Sequence, residues 1–482
     1  MARKDGDITA HDQPLKLSSR ARLGDRLHLH SDVRYSGAKL ERWLTILSVI
    51  FISIAAFEVI AVSTAMPYVV EDLDGKRYYA LASGIALASQ LFTTAIAGLW
   101  SDAKGPKPVL YTGISLFTVG LLMATFAPTI EWLILGRAIQ GLGAGLQVVP
   151  LYVFIGRFVE PDHQPRVFAA LAAAWVLPSL IGPMIAGFLV EYVHWRWVFG
   201  ASPLLIVLFL PFTYAKFRHL PSEAHPKTLS GMKTAGVYAL LAAIAVAALQ
   251  MTSGLTADDF NLGAYLRIAV FTVVTVLTMR KLLPAGTFVV ARGIPATVML
   301  RGILNGSLLT VEIYLPLLLK EVHGWSPTAA GTALTVGSIT WAVGSLIQGK
   351  ISNPVLRRKL PVVCLPVSLL GMAITACALI PGVGGWPVLA GWFVANLGVG
   401  TLYPALTVWG LSLTPEERQG QTSSALQLAD TVGLAALVAY GGIVYALALP
   451  LGRGAFALLI ALMFIVMANG LWVARRLQPR GV

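Results

Sequence analysis

The feature that most constrains this chain is a succession of apolar runs, each close to 20 residues long, from residue 43 almost to the end. About 20 residues of helix cross the ~30 Å hydrocarbon core of a bilayer. Fourteen candidate spans fall near 43–69, 78–100, 108–127, 131–155, 166–190, 197–215, 234–252, 264–282, 295–319, 327–349, 361–381, 386–410, 420–447 and 454–474. In lipid every backbone N–H and C=O must be satisfied within the protein, so runs of this length fold as helices. The expected class is an all-α polytopic membrane protein of about fourteen spans. Were 234–252 and 264–282 not full crossings, twelve would remain. Only 12% of the chain is charged, against about 25% in a soluble domain. The net charge of +13 would point to nucleic acid in a soluble protein. Here the basic residues sit in short loops between apolar runs, so topology accounts for them.

Those loops predict the orientation. Twenty-eight Lys and Arg lie on the side that carries both termini and the loops around 104, 157, 216–233, 280–292, 350–359 and 418; six lie on the other side. Arg137 and Arg301 fall within spans. The excess marks the cytoplasmic side, so both termini are expected there, in a multi-pass protein of the cell membrane. Trp132, Trp195, Trp197, Trp325 and Trp386 fall where an aromatic belt at the outer interface would lie. Residues 1–42 are polar and basic and lack the apolar core of a signal peptide. They are read as a solvated cytoplasmic tail, with attraction to anionic lipid as a second reading. Cys364 and Cys377 share one apolar run, and thirteen residues of helix hold them about 20 Å apart, too far for a disulfide.

Three features recur at nearly constant offset. Glu58, in Phe57-Glu58-Val59, returns 254 residues later as Glu312 in Val311-Glu312-Ile313. Gly98 with Asp102 returns 251 later as Gly349 with Asn353, and Gly141-Leu142-Gly143-Ala144-Gly145 returns 255 later as Asn396-Leu397-Gly398-Val399-Gly400. In register they predict duplicated halves: a six-helix bundle at 43–215, a cytoplasmic loop at 216–233, two inserted helices at 234–282, a second six-helix bundle at 295–474 and a tail at 475–482. Repeated halves place a substrate site near the midplane between them.

The motifs then carry a resemblance. Residues 98–108, Gly-Leu-Trp-Ser-Asp-Ala-Lys-Gly-Pro-Lys-Pro, resemble the loop between helices 2 and 3 of the major facilitator superfamily, apart from Pro106 where a basic residue is usual. Gly98 permits close helix approach, and Asp102 could cap a helix or pair with a cation. The resemblance implies a cytoplasmic latch of Gly98, Asp102, Lys104, Gly105 and Lys107; the plain alternative is solvated loop charges. Arg137-Ala138-Ile139-Gln140-Gly141 resembles the family's fourth-helix motif. A buried Arg is costly and normally faces the bundle interior with a partner, the alternative being snorkelling to the outer interface. Gly182-Pro183-Met184-Ile185-Ala186-Gly187 resembles the Gly-Pro-x-x-Gly-Gly motif of drug:proton antiporters, with Ala186 in place of one Gly. Its small residues also fit ordinary tight helix packing. Phe57-Glu58 through Pro67 resembles the first-helix motif of the fourteen-span antiporters, with Glu for the usual Asp. The resemblance covers most of residues 43–474 and implies export driven by a proton gradient.

Glu58, Glu312 and Asp430 lie 9–17 residues into their spans, where a charged carboxylate costs about 2.5–3.5 kcal/mol. A carboxyl that is neutral when enclosed and ionised when wetted could exchange a proton for a substrate; a permanently protonated or paired structural acid is the alternative. Proton coupling is assigned to Glu58, Glu312 and Asp430, with Arg137 tuning them or joining the relay. Gln90, Gln147, Asn305, Tyr314, Trp341, Asn396, Tyr403 and Gln427 are candidate cavity residues, although such side chains more often pack between helices. The expected function is proton-coupled efflux of amphipathic or cationic small molecules by alternating access. Export of a lipid or self-made metabolite, and then uptake, are the alternatives on the same scaffold. Neither P-loop, nucleophile motif nor metal-ligand spacing is present, so no enzyme activity, cofactor, metal or nucleic-acid partner is expected. The expected partners are a small-molecule substrate, protons and the bilayer, with the chain acting as a monomer.

Overall fold

The computed structural model describes residues 38–160, 163–217, 229–255, 259–351, 353–415 and 419–478. The predicted tail at 1–42, loop at 216–233 and tail at 475–482 therefore lie largely outside the described residues. Among the described residues fifteen α-helices form: α1 (Ala38–Asp72), α2 (Tyr79–Lys104), α3 (Pro106–Thr125), α4 (Ile130–Gly145), α5 (Val148–Phe158), α6 (Gln164–Phe188), α7 (Arg196–Phe217), α8 (Leu229–Thr252), α9 (Leu262–Leu282), α10 (Ile294–His323), α11 (Pro327–Lys350), α12 (Pro354–Ala376), α13 (Trp386–Ser412), α14 (Gln419–Ala448) and α15 (Arg453–Ala474). They make fourteen spans long and apolar enough to cross a membrane, because α4 and α5 together form one crossing. The apolar run over 131–155 predicts that crossing as one unbroken helix. The helix pauses at Leu146 and Gln147, where the Leu146 N–H bonds the Gly143 carbonyl at 3.1 Å, directly after the glycine run. Thr234–Thr252 and Leu262–Leu282 are both long enough to cross, so the inserted pair counts as two spans.

The duplicated halves are visible in how glycines let helices touch. In the first half, α4 lies between α2 and α3. A Cβ on Gly141 or Gly145 would collide with the backbone or side chains of α2 at Ala86 and at Gln90 to Thr94, and one on Gly143 with Phe117 of α3. In the second half, α13 lies between α11 and α12. Gly400 abuts the Trp341 backbone of α11, and Gly398 abuts Cys364 and Ser368 of α12. The same alternation of faces thus appears in both copies.

The halves meet along two seams. At one, Gly187 of α6 rests on the Pro327–Thr328 backbone, and Gly331 of α11 rests on the Pro183 carbonyl. At the other, Gly442 of α14 faces Ala80 of α2. Helix α8 lies against both α2 and α14 and so covers that second seam, with α9 outside it. Gln250 of α8 donates through Nε2 to the Ala435 carbonyl at 3.1 Å, and Thr272 of α9 meets the Tyr440 hydroxyl at 2.6 Å. Among the described spans, helix α10 is the most enclosed and α9 the most peripheral.

The described polar contacts between the halves gather at the end of the bundle opposite the chain termini. Lys320 bonds Glu71 and the Pro67 carbonyl, Lys76 pairs with Glu321 at 3.7 Å, and the Tyr68 hydroxyl donates to the Trp325 carbonyl at 3.3 Å. A turn or two deeper, the Tyr79 hydroxyl donates to the Ile313 carbonyl at 2.5 Å, and the Tyr79 ring meets that of Tyr314 at a tilt of 59°, with centroids 5.1 Å apart. Of the five belt tryptophans, Trp132, Trp197 and Trp386 are exposed and Trp325 packs on Trp386. Trp195 departs from the expectation. It is buried, because its Nε1–H donates to Asp72 Oδ2 at 2.8 Å and its ring meets Phe199 edge-on. Cys364 and Cys377 are both free, as their spacing predicted.

Candidate functional site

Glu58 sits midway along α1 and is fully buried. Its Oε2 accepts from the Ser202 hydroxyl of α7 at 3.0 Å, while Oε1 is enclosed without a hydrogen-bond partner. Arg137 and Gln140 of α4 stand beside it. Arg137 is 5% exposed and points into the bundle rather than snorkelling. It donates to Gln140 Oε1 at 2.6 Å and to the Ala82 carbonyl of α2 at 3.4 Å. An ionised carboxylate offers about four acceptor sites, so one hydroxyl donor satisfies only part of it. Four helices therefore bring together an acid with a bare oxygen, an arginine and an amide. Ser202 and Gln140 were not singled out from the sequence, and only the Gln-Gly of the fourth-helix motif hinted at the second.

Glu312 occupies the corresponding place on α10. It is half-buried, and its one described hydrogen bond comes from Trp392 Nε1 of α13 to Oε2 at 3.2 Å. The glycine-run offset that relates the halves carries Arg137 onto Trp392. The two acids thus hold equivalent positions with different neighbours, a cation in one half and a neutral indole in the other.

Asp430 on α14 is 4% exposed and differs from both. Arg301 of α10 reaches it through Nε at 3.1 and 3.0 Å and through an Nη at 3.0 Å, and the Tyr403 hydroxyl of α13 donates to Oδ2 at 2.7 Å. Arg301 also donates to Thr407, and its guanidinium lies over the Tyr403 ring, 4.0 Å from the centroid. Asn305 donates to the Asp430 backbone carbonyl at 3.4 Å. Each carboxylate oxygen has a partner. This is the arrangement of an ion pair that cross-links α10, α13 and α14. The sequence placed Arg301 within a span, yet its partner 129 residues away had no local signal.

The remaining candidates divide by exposure. Trp341 and Tyr403 are half-buried and meet edge-on at 5.2 Å, Gln90 is half-buried and Gln427 is exposed. Gln147 is buried and donates to the Gly113 carbonyl at 3.4 Å. Asn396 is buried and donates to the Trp392 carbonyl one turn back at 3.0 Å. Tyr314 is enclosed between Tyr79 and Tyr445. These last three serve helix packing in this conformation.

In the loop between α2 and α3, Gly98 has only Val149 near its Cβ position. Asp102 lies in the last turn of α2, and its side chain falls outside the described residues. The position preceding α3 is filled by Gly105 at φ +80°, which a Cβ would strain. Lys104 is exposed and Lys107 half-buried. The repeat of Asp102 does cap: Asn353 Oδ1 accepts from the Val355 and Leu356 N–H groups at the start of α12. In the Gly182-to-Gly187 motif, Pro183 and Gly187 lie at the seam with α11, and Gly182 faces Phe57 and Ile60 of α1. One cluster with metal-ligand atoms close together exists among the described residues: Glu41, Glu160 and His163. Glu41 there accepts from the Glu160 N–H and meets His163 Nδ1, both at 2.8 Å, which ties the start of α1 to the turn before α6.

Two glycine-coupled halves, fourteen apolar helices and acids placed at mid-depth define a polytopic transporter scaffold. The pattern described as the Major Facilitator Superfamily matches residues 46–438 and again 315–481, and the chain belongs to that superfamily. Multidrug resistance protein 3 of Bacillus subtilis is 25% identical over 67% of this chain and 63% of its own length. A probable multidrug-efflux transporter of Mycobacterium tuberculosis is 26% identical over 75% of this chain and 78% of its own. Among solved structures, a POT family transporter in complex with 5-aminolevulinic acid superimposes with a TM-score of 0.66, covering 90% of this chain and 96% of that one. At 15% identity that likeness speaks for the fold alone. The protein is a multi-pass membrane transporter of this superfamily.

Proposed function

We propose that the protein exports amphipathic or cationic small molecules in exchange for protons, by alternating access between two rocking halves, from the cytoplasm across the cell membrane. The observation that carries this reading is Glu58: an acid sealed at mid-depth, with one hydroxyl donor and an oxygen left bare. Such a group has room to take and release a proton as the halves open and close around it. Arg137 and Gln140 hold the neighbouring space polar, and Arg137 supplies a counter-charge when the proton leaves. The excess of Lys and Arg on the side of the termini supports a cytoplasmic placement of that side. The contacts of Glu71, Tyr68 and Lys76 with the second half then close the outer face. The loop from Gly98 to Lys107 would latch the cytoplasmic face in the opposite state. The likeness to multidrug exporters supports drug-like substrates.

Glu58→Gln tests the reading, because the amide copies the size and hydrogen-bonding edge of the neutral acid. In reconstituted vesicles this variant is expected to lose substrate-driven proton movement while retaining substrate binding. Proton exchange at the wild-type ratio would remove Glu58 from the coupling step.

A further inference from the structure

Helices α12 and α15 pack side by side in the second half, and the gap between them changes along their length. Toward the end that carries the chain termini they touch: a Cβ on Gly470 of α15 would lie 3.3 Å from Leu365 of α12. Toward the opposite end a groove of about 510 Å³ opens between them. The buried side chains of Met372, Leu379 and Ile460 form its floor. The exposed alanines Ala373, Ala457 and Ala461 leave its side toward the bilayer open.

Every side chain that lines the groove is apolar, and its length fits one leaflet. From Ala457 to Ile465 the wall of α15 runs about 12 Å, against the ~15 Å that one leaflet contributes to a hydrocarbon core of ~30 Å. One cation stands at its head. Arg453, exposed at the start of α15, precedes Ala457 and Ala461 by four and eight residues and so lies over the same helix face. The turns that flank the mouth, 377–385 and 449–452, carry no charge. Among the described residues no carboxylate lies within ion-pair distance of Arg453. The titratable side chain near it is His323, another base. Trp386, exposed at the start of α13, marks this level as interfacial. An uncompensated cation above an apolar slot is complementary to an anionic headgroup above an acyl chain.

We propose that this groove binds a single anionic glycerophospholipid of the bilayer, with one acyl chain lying between α12 and α15 and the phosphate paired with Arg453. A zwitterionic lipid offers the same chains but carries its own cation beside the phosphate, so Arg453 selects by headgroup charge while the alanines make room for the chain. The lipid braces α12 against α15 where their own side chains leave a gap. The site faces the bilayer and depends on neither Glu58 nor the export reading.

Native mass spectrometry of the purified full chain, released from detergent micelles that hold equal amounts of phosphatidylglycerol and phosphatidylcholine, tests it. The wild-type protein is expected to retain one phosphatidylglycerol about fivefold in preference to phosphatidylcholine, the preference that one interfacial Arg supplies. Arg453→Gln should bring that ratio to about one, and Arg453→Lys should keep most of it. Ala461→Phe and Ala457→Leu fill the groove from exposed positions, so both variants should fold and both should lose the retained lipid. Glycerol phosphate, which offers the phosphate without a chain, should leave the bound lipid in place at matched concentration. No preference in the wild type, an unchanged ratio in Arg453→Gln, undiminished lipid in both groove-filling variants, or displacement by glycerol phosphate would each overturn the proposal.

Discussion

Asp430→Asn is the perturbation whose outcome the structure fixes most tightly. The carboxylate takes two bonds from Arg301 Nε, one from an Nη and one from the Tyr403 hydroxyl, with Arg301 and Asp430 both under 10% exposed. The amide preserves the outline but removes the charge and turns an N–H₂ toward the guanidinium. Arg301 is then a buried cation without a counter-ion, and removing one partner of such a pair costs about 3–5 kcal/mol. An unfolding entropy of about 2 cal/mol/K per residue gives about 1 kcal/mol/K for a chain of this length, so Tm should fall by about 4 °C, and by more where only the second half melts. Replacing both partners, as Arg301→Met with Asp430→Leu, leaves neither charge stranded and should recover most of that loss. The assay is thermal unfolding of the purified protein in detergent, run on both single variants and the double variant as a cycle. If Asp430→Asn melts within about 1 °C of wild type, or the double variant falls as far as the sum of the singles, the ion pair is not the cross-link described here.

Two further outcomes test the seams. A Cβ on Gly331 would strike the Pro183 carbonyl, so Gly331→Leu should separate α6 from α11 and abolish transport, whereas a nearly normal rate would show that the seam need not close. Lys320→Ala removes the contacts with Glu71 and the Pro67 carbonyl. These groups are partly exposed, so stability should change by less than about 1 kcal/mol, but a cysteine at position 68 should label faster with a membrane-impermeant thiol reagent. Labelling at the wild-type rate would mean the face is held shut by packing alone.

Much of this architecture was legible because the bilayer writes it into composition. Span length, loop charge and the offset between Glu58 and Glu312 needed no tertiary information, and each is a statement about one stretch of chain. What stayed hidden are pairings between distant stretches. Pro183 and Gly187 stood out as a motif, but that Gly331 of the other half meets them could not be read locally. Arg301 was visible as an expensive residue, and Asp430 as another, with nothing to say that each makes the other affordable. Trp195 matched the belt by position and was taken inward by Asp72, a residue 123 places away. The pause at Leu146 had no signal of its own, because the glycine run before it served only as a repeat marker, whereas in the fold that run also lets α4 pack closely on α2 and α3.

The inserted helices make the two seams unequal. At the seam of α6 and α11 the protein is one helix layer thick, so a molecule dissolved among the lipid tails meets the joint directly. At the seam of α2 and α14 it meets α8 first, with α9 behind that. Two polar contacts of the insert reach α14, through Gln250 and Thr272, and Gly84 of α2 also lies against Gln250. Helix α8 therefore packs on both halves, more extensively on α2 than on α14. It works as a gasket: the joint beneath it can shift while the bilayer on that side is kept out.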